Sequence, residues 1–502
     1  MGTRERFRLR RRRAVLSLRT SFAFFIGFAC LLLLVESGTE QTEAWAAVPI
    51  AKSLAHGETM VRQRPPGPYV RGPTGAYWLA QDYLAPVLAT PLVMLAERIA
   101  PAGIVVPDFV TAAAASTGAL VTAICAVLVL TFSVSRLRVP ARSAMIGVVV
   151  GIFGTFLLHY SRGNYDGNLS GMLLVAGLSV DGSPRRLSAF WAGILWGLAC
   201  LARFTSIAVV AFLALGVCAS VTSWRFRIHK AVRIAAGMIP SVVVWYELNL
   251  LRTGHGFIPP SALPEYQNNA LVGPFWDGFV GNLVSPAKGL LFFGPLAILG
   301  LVGLGVARRR LLLFMSAGGL LALLSLHAKV VNWSGHWGWG PRYLVPAIPL
   351  CLLGLGVLIA SRRSRWIIAA LAVPSVLVQF LAVIAHPTLR IAVTAGNVVR
   401  PFDVNSSQLA DHLRVLVDVL AGRCPDMTYY APRCVPDLWW VTWPRLGGGH
   451  WPQLAAGFLA LGATLGLALA WRWSERPEGQ AVASGPPQHP SASNPARDRG
   501  QD

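Results

Sequence analysis

The feature that most constrains this chain is its division into apolar blocks separated by short polar pieces. The blocks run to roughly 15–25 residues, the length that ~30 Å of hydrocarbon requires of a helix. Composition agrees with that pattern. Of the 502 residues 54% are hydrophobic and 13% charged, with a mean hydropathy of +0.54, where a soluble chain carries about 25% charged residues. A soluble single-domain enzyme, a disordered chain and a fibrous protein are excluded, and the expected fold class is an all-α polytopic membrane protein.

Twelve spans are expected, near 21–36, 109–132, 144–159, 167–180, 188–202, 204–222, 234–250, 290–306, 311–328, 343–360, 366–385 and 453–471. Residues 1–20 form a basic N-terminus that also resembles a signal peptide, with Ala44-Trp45-Ala46 as a loose cleavage site; the eleven later spans favour an uncleaved first helix. With that end inside, the inner pieces are 1–20, 135–143, 181–187, 223–233, 307–310, 361–365 and 472–502. They hold more than half of the 44 basic residues, as the positive-inside rule requires. Both termini are then cytoplasmic, and residues 21–472 form the membrane domain. The tail 473–502, rich in Pro, Ser, Gly and Gln, reads as disordered. Three long segments face outward: 37–108, 251–289 and 386–452. Within the first, Gly75–Ile99 is apolar yet carries Gln81, Asp82, Glu97 and Arg98, and is expected to form helices lying in the membrane interface.

The net charge of +22 does not point to nucleic acid, because the arginines fall in short patches between apolar blocks and not among stacking aromatics. Five of the seven cysteines lie inside apolar blocks and read as packing residues. Cys424 and Cys434 share one polar outer segment, where an oxidising compartment favours a disulfide.

Ionisable groups at membrane depth cost several kcal/mol unless paired or wetted, so they are functional candidates by default. Here they gather on the outer side. The first cluster is Glu40-Gln41-Thr42-Glu43, just after the first span; a carboxylate there can serve as a general base or simply cap and solvate the next helix. The second is the loop His159–Asp166, with Arg162 inside it and Arg203 at a nearby tight turn. The third, Ser285-Pro286-Ala287-Lys288-Gly289, puts Lys288 at the mouth of a span, as a point charge for phosphate or a snorkelling lysine. The fourth runs from His327 through Lys329, Trp333, His336 and Trp337 to Arg342. An aromatic belt needs the tryptophans but not Lys329, His336 and Arg342. Arg342 offers a planar fork that matches phosphate oxygens in pairs.

These motifs resemble the GT-C superfamily of membrane glycosyltransferases, near the protein O-mannosyltransferase and aminoarabinose-transferase type. The resemblance rests on the acids before Ala51-Lys52-Ser53-Leu54, on His159–Asp166, Leu201–Thr205, Tyr246–Gly254 and Ser285–Gly289, and on Trp333–Tyr343 and Asp437-Leu438-Trp439-Trp440, in family order. It implies transfer of a sugar from a polyprenyl-phosphate carrier, on the outer face of the cell membrane, to a lipid, glycan or protein acceptor. Glu43 is then the base, with Glu40 in reserve and Asp166 beside them. Lys288, Arg342, Lys329 and Arg203 hold the donor phosphate; His159, Arg162, His336, Trp333 and Trp337 line the substrate. Relatives often open this loop with adjacent Asp-Glu, whereas this chain has Glu40 and Glu43 and no aspartate. Some relatives use a divalent metal; two separated glutamates make no clear metal site.

The residues agree independently. A chain without a Gly-rich nucleotide loop is poorly suited to a cytosolic nucleotide sugar, and a lipid-bound donor reaches an outward cavity from the bilayer. With no covalent nucleophile in view, a single displacement with inversion is expected. The rivals are a transporter or lipid flippase, which calls for charges on both faces or at mid-membrane, and an inactive protein of the same fold. Abundant Arg and Ala with scarce Lys suggests a bacterial source.

Overall fold

The structure is a computed structural model that describes residues 16–37, 44–58, 60–61, 69–80, 83–100, 106–163, 165–181, 187–260, 271–335, 338–384, 402–405, 407–423, 437–444 and 449–474. It is predominantly helical. The long helices in chain order are α1 (Leu18–Leu34), α2 (Ala44–Ala55), α3 (Leu84–Ile99), α4 (Val106–Ser135), α5 (Ala141–Phe153) and α6 (Asp166–Asp181). They continue as α7 (Ser188–Ala202), α8 (Ile207–Ala219), α9 (Trp224–Thr253), α10 (Phe275–Val284), α11 (Pro295–Val306) and α12 (Arg310–Ala328). The last are α13 (Arg365–Ile384), α14 (Gln408–Leu420) and α15 (Trp451–Trp473).

Each of the twelve apolar stretches falls on helix, but five helices among the described residues are long and apolar enough to cross a bilayer by themselves: Phe109–Ser135, Trp224–Thr253, Arg310–Ala328, Arg365–Ile384 and Trp451–Trp473. Others are shorter or interrupted, for local reasons. The stretch 343–360 breaks into Arg342–Ala347, Ile348–Leu352 and Leu355–Ala360, because Pro346 and Pro349 lack amide donors and Gly354 and Gly356 loosen the backbone. The stretch 290–306 is divided at Gly294, between Leu290–Phe293 and Pro295–Val306. At 223–233 the expected inner loop is instead the opening of α9, which runs unbroken for 30 residues and stops at Gly254, left-handed with φ +78°.

The expectation of helices throughout Gly75–Ile99 needs correction. Tyr69–Arg71 (β1) and Tyr77–Leu79 (β2) pair antiparallel, Val70 opposite Trp78, and among the described residues of this stretch only Leu84–Ile99 is helical. Aromatic and β-branched residues favour the pleated strands, and Gly75, at φ +82°, supplies the turn conformation that other residues resist.

Helices approach closely where small residues meet. A Cβ placed on Gly27 of α1 would lie 2.5 Å from the Leu467 nitrogen of α15, so this crossing depends on glycine, as packing within lipid commonly does. The two ends of the bundle differ chemically. At one, Lys230 pairs with Asp181 at 2.9 Å, Arg309 donates to the Arg136 carbonyl at 3.1 Å, and Arg142 lies 4.5 Å from the Trp471 ring centre. The other end holds the ends of α1, α7, α12 and α13, the start of α6, and the candidate site.

Candidate functional site

Five of the expected residues, Asp166, Arg203, Arg342, Lys288 and His159, meet at that second end. Asp166 opens α6 and Arg203 follows the last turn of α7, so the antiparallel packing of these helices brings them together. Arg203 Nη1 lies 2.7 Å from Asp166 Oδ1 and donates to the Tyr165 hydroxyl at 2.9 Å. The Tyr165 hydroxyl in turn donates to the Arg342 carbonyl at 3.1 Å. Arg342 and Arg203 both approach one ring, with guanidinium carbons 5.0 and 5.6 Å from the centre of Tyr343. His327, at the end of α12, stacks flat on the same ring at 4.3 Å. Two guanidiniums against one aromatic ring create a locally positive site, and Asp166 neutralises only part of it.

Lys288 reaches this region from a different direction. The turn Ser285–Gly289 is tied by the Gly289 amide to the Ser285 carbonyl at 2.7 Å and by the Lys288 amide to Ser285 Oγ at 3.0 Å. It delivers the Lys288 ammonium, fully buried, to the Gly338 carbonyl. A buried ammonium is tolerable only when hydrogen-bonded, and the glycine-rich loop supplies an acceptor. Gly338 also explains itself sterically: a Cβ there would overlap Arg342 Cδ and lie 3.0 Å from the Tyr160 hydroxyl. That hydroxyl donates to the Trp339 carbonyl at 2.9 Å. His159 is buried beside the same loop, 6.1 Å from the Trp339 ring.

Other expected residues lie elsewhere or are otherwise engaged. Lys329 is exposed at the end of α12, and its carbonyl accepts from the Gly273 amide at 2.7 Å. Trp333 is buried across Gly281 of α10, its carbonyl 3.4 Å from Asn282 Nδ2. Arg162 is wholly taken up by the protein: Nε donates to the Val35 carbonyl at 2.6 Å, Nη1 to the Ala382 carbonyl at 3.0 Å, and Nη2 to Asp437. Glu40, Glu43, His336, Trp337, Cys424 and Cys434 lie outside the described residues, whereas Cys30, Cys125, Cys200, Cys218 and Cys351 are free thiols. Among the described residues no three His, Cys, Asp or Glu side chains come together to hold a metal.

Sequence reasoning gave no site role to several participants, although Asp437, Trp439 and Trp440 were among the residues that carry the resemblance. Glu36, two residues beyond α1, is buried with both carboxylate oxygens lacking a hydrogen-bond partner; an acid at the end of an apolar block was the signal. Asp437 accepts from the Ser37 hydroxyl at 2.7 and 2.8 Å while pairing with Arg162. Trp439 and Trp440 give their indole N–H groups to the Leu33 and Leu34 carbonyls at 2.8 and 2.9 Å. Together with Arg162 they satisfy the carbonyls that a helix end leaves open, and so fix how the chain leaves α1. Gln379 and Gln408, both buried against the glycine-rich loop, gave no sequence signal at all.

No protein-family model and no curated protein matches this chain. Among solved structures it is similar to ArnT from Cupriavidus metallidurans bound to undecaprenyl phosphate, at 15% identity and a TM-score of 0.46, covering 91% of this chain and 77% of that one. It is also similar to the archaeal oligosaccharyltransferase AglB from Archaeoglobus fulgidus, in complex with an inhibitory peptide and a dolichol-phosphate. There the identity is 12% and the TM-score 0.40, covering 90% of this chain and 56% of that one.

Proposed function

We propose that this chain is an integral membrane glycosyltransferase that moves a sugar from a polyprenyl-phosphate donor to an acceptor on the extracytoplasmic side of the plasma membrane. The observation that carries the reading is the gathering of Arg342, Arg203 and Lys288 around the Gly338–Tyr343 loop at one end of the bundle. Their side chains come from three separate parts of the sequence, and the opposite end carries the ordinary basic patches of inner loops.

In this reading the donor phosphate sits against Arg342 and Lys288, with Arg203 held in place by Asp166 and Tyr165. The acceptor hydroxyl attacks the anomeric carbon. Its proton passes to the Glu43 carboxylate, with Glu40 the alternative, as the carbon–oxygen bond to phosphate breaks. The electron pair leaves with the polyprenyl phosphate, so the sugar carbon is inverted in one displacement. Charge grows on the leaving phosphate in the transition state, and fixed cations favour that growth over the ground state. Lys329, His159, His336, Trp333 and Trp337 are assigned to the surroundings of the substrate. Arg162 acts through the backbone it holds.

Purified protein given labelled polyprenyl-phosphate sugars and candidate acceptors tests this reading. Sugar transfer that depends on Arg342 supports it. Movement of the intact lipid-linked sugar across a vesicle membrane, without cleavage, would instead establish a flippase.

A further inference from the structure

We propose that Gln408 is a positioning residue for the donor-phosphate site, an inference that rests on the transferase reading above. Its carboxamide bridges the loop from which Arg342 springs. Gln408 opens α14 with its side chain buried at 1% exposure. Nε2 donates to the Gly338 carbonyl at 2.9 Å, and Oε1 accepts from the Gly340 amide at 3.1 Å. The same Gly338 carbonyl receives the Lys288 ammonium. The Arg342 amide donates to the Gly340 carbonyl at 3.0 Å, so the peptide that Gln408 grips leads directly into Arg342.

The rest of the loop is held in a matching way. Gln379 of α13 accepts from the Trp339 indole N–H at 2.9 Å and donates to the Phe293 carbonyl at 2.8 Å. His412, one turn after Gln408, lies 4.6 Å from the Trp339 ring. Three consecutive residues, Gly338 to Gly340, are thus set between two buried carboxamides whose oxygen and nitrogen both find partners. Gly338 and Gly340 bring no side chains with which to fix their own backbone, and Gly340 adopts φ +57°. Its conformation must be imposed from outside. Gln408 does this at the one carbonyl that also orients Lys288, and therefore sets both phosphate-binding cations at once.

The test uses full-length protein in phosphatidylcholine nanodiscs and measures binding of a sugar-free polyprenyl phosphate. Gln408→Met, which keeps side-chain length but offers no hydrogen bond, is expected to weaken binding about tenfold, in line with the loss of two buried hydrogen bonds. A double-mutant cycle separates positioning from general packing. Because Gln408 acts through both Lys288 and Arg342, the loss caused by Gln408→Met should be clearly smaller in a Lys288→Gln background, where one of the two cations is already gone, than in the unaltered protein. Independent packing defects would add. Should Gln408→Met fail to fold, Gln408→Asn keeps a neutral carboxamide but draws it back by one methylene from Gly338 and Gly340, and completes the same cycle. Wild-type affinity in these variants, or losses that sum, overturns the inference while Lys288→Gln still reports on the phosphate site. Absence of binding in the unaltered protein defeats the donor-phosphate reading and this inference with it.

Discussion

Arg162 and Asp437 stand 275 residues apart in sequence and form a buried ion pair, Nη2 to Oδ2 at 3.1 Å, with side chains 0% and 3% exposed. The pair draws the end of α1, the loop after α5 and the segment before Trp439 onto one point. Removing one partner of such a pair leaves an uncompensated buried charge, at a cost of ~3–5 kcal/mol. Arg162→Met is expected to lower the thermal unfolding temperature of the detergent-purified protein clearly, and Arg162→Met with Asp437→Leu to recover part of the loss. An unchanged unfolding temperature in the single variant would show that the clamp contributes nothing.

Gly338 predicts a purely steric effect on the site. A methyl group there collides with Arg342 Cδ, whose side chain must turn away while its charge is kept. Gly338→Ala should therefore weaken binding of polyprenyl phosphate by about one order of magnitude, comparable to losing one hydrogen bond to a charged group. Folding should be spared, since the overlapping atoms belong to flexible side chains. Lipid binding measured beside a thermal melt checks both halves; wild-type affinity would mean that the present Arg342 rotamer is irrelevant to the donor.

The apolar blocks located all five helices that are long enough to cross a bilayer among the described residues, because hydrocarbon thickness is a blunt constraint that survives without knowledge of partners. The hairpin at Tyr69–Leu79 escaped, since a short apolar run beside a turn reads equally well as strand or helix. In the site, Arg203, Lys288 and Arg342 were legible as charges that an apolar chain would otherwise avoid. Arg162 was legible in the same way, yet only coordinates reveal that backbone carbonyls and Asp437 occupy its guanidinium. Gln379 and Gln408 were not legible at all. A buried amide becomes informative only once the backbone groups that it satisfies have been brought alongside by the fold.

Arg342 distinguishes a fork from a point charge. Its guanidinium lies against Tyr343, with Nη2 3.4 Å from that hydroxyl. Lysine would keep the charge but neither the planar stacking nor the paired donors. Arg342→Lys is expected to raise KM for the lipid-linked donor about tenfold, the order of one charge-assisted hydrogen bond, with a smaller change in kcat. An unaltered KM for the donor would place the phosphate elsewhere.

The sharpest division of roles concerns the acid. Lys288 and Arg342 are assigned to the phosphate, whereas Glu43 is assigned to the proton of the acceptor, and the two tasks fail differently. A positioned general base contributes typically ~10²–10⁴-fold to rate, so Glu43→Gln should remove most transfer while polyprenyl phosphate still binds with wild-type affinity. Gln is close in shape to Glu and cannot accept the proton, so folding should be preserved. Glu40 provides the control: if it merely solvates the loop, Glu40→Gln should retain transfer, and if the roles are reversed the two variants exchange phenotypes. Full transfer in the Glu43→Gln, Glu40→Gln double variant would refute the assignment of the base to this loop, leaving the cation cluster around Gly338 to be explained by lipid binding alone.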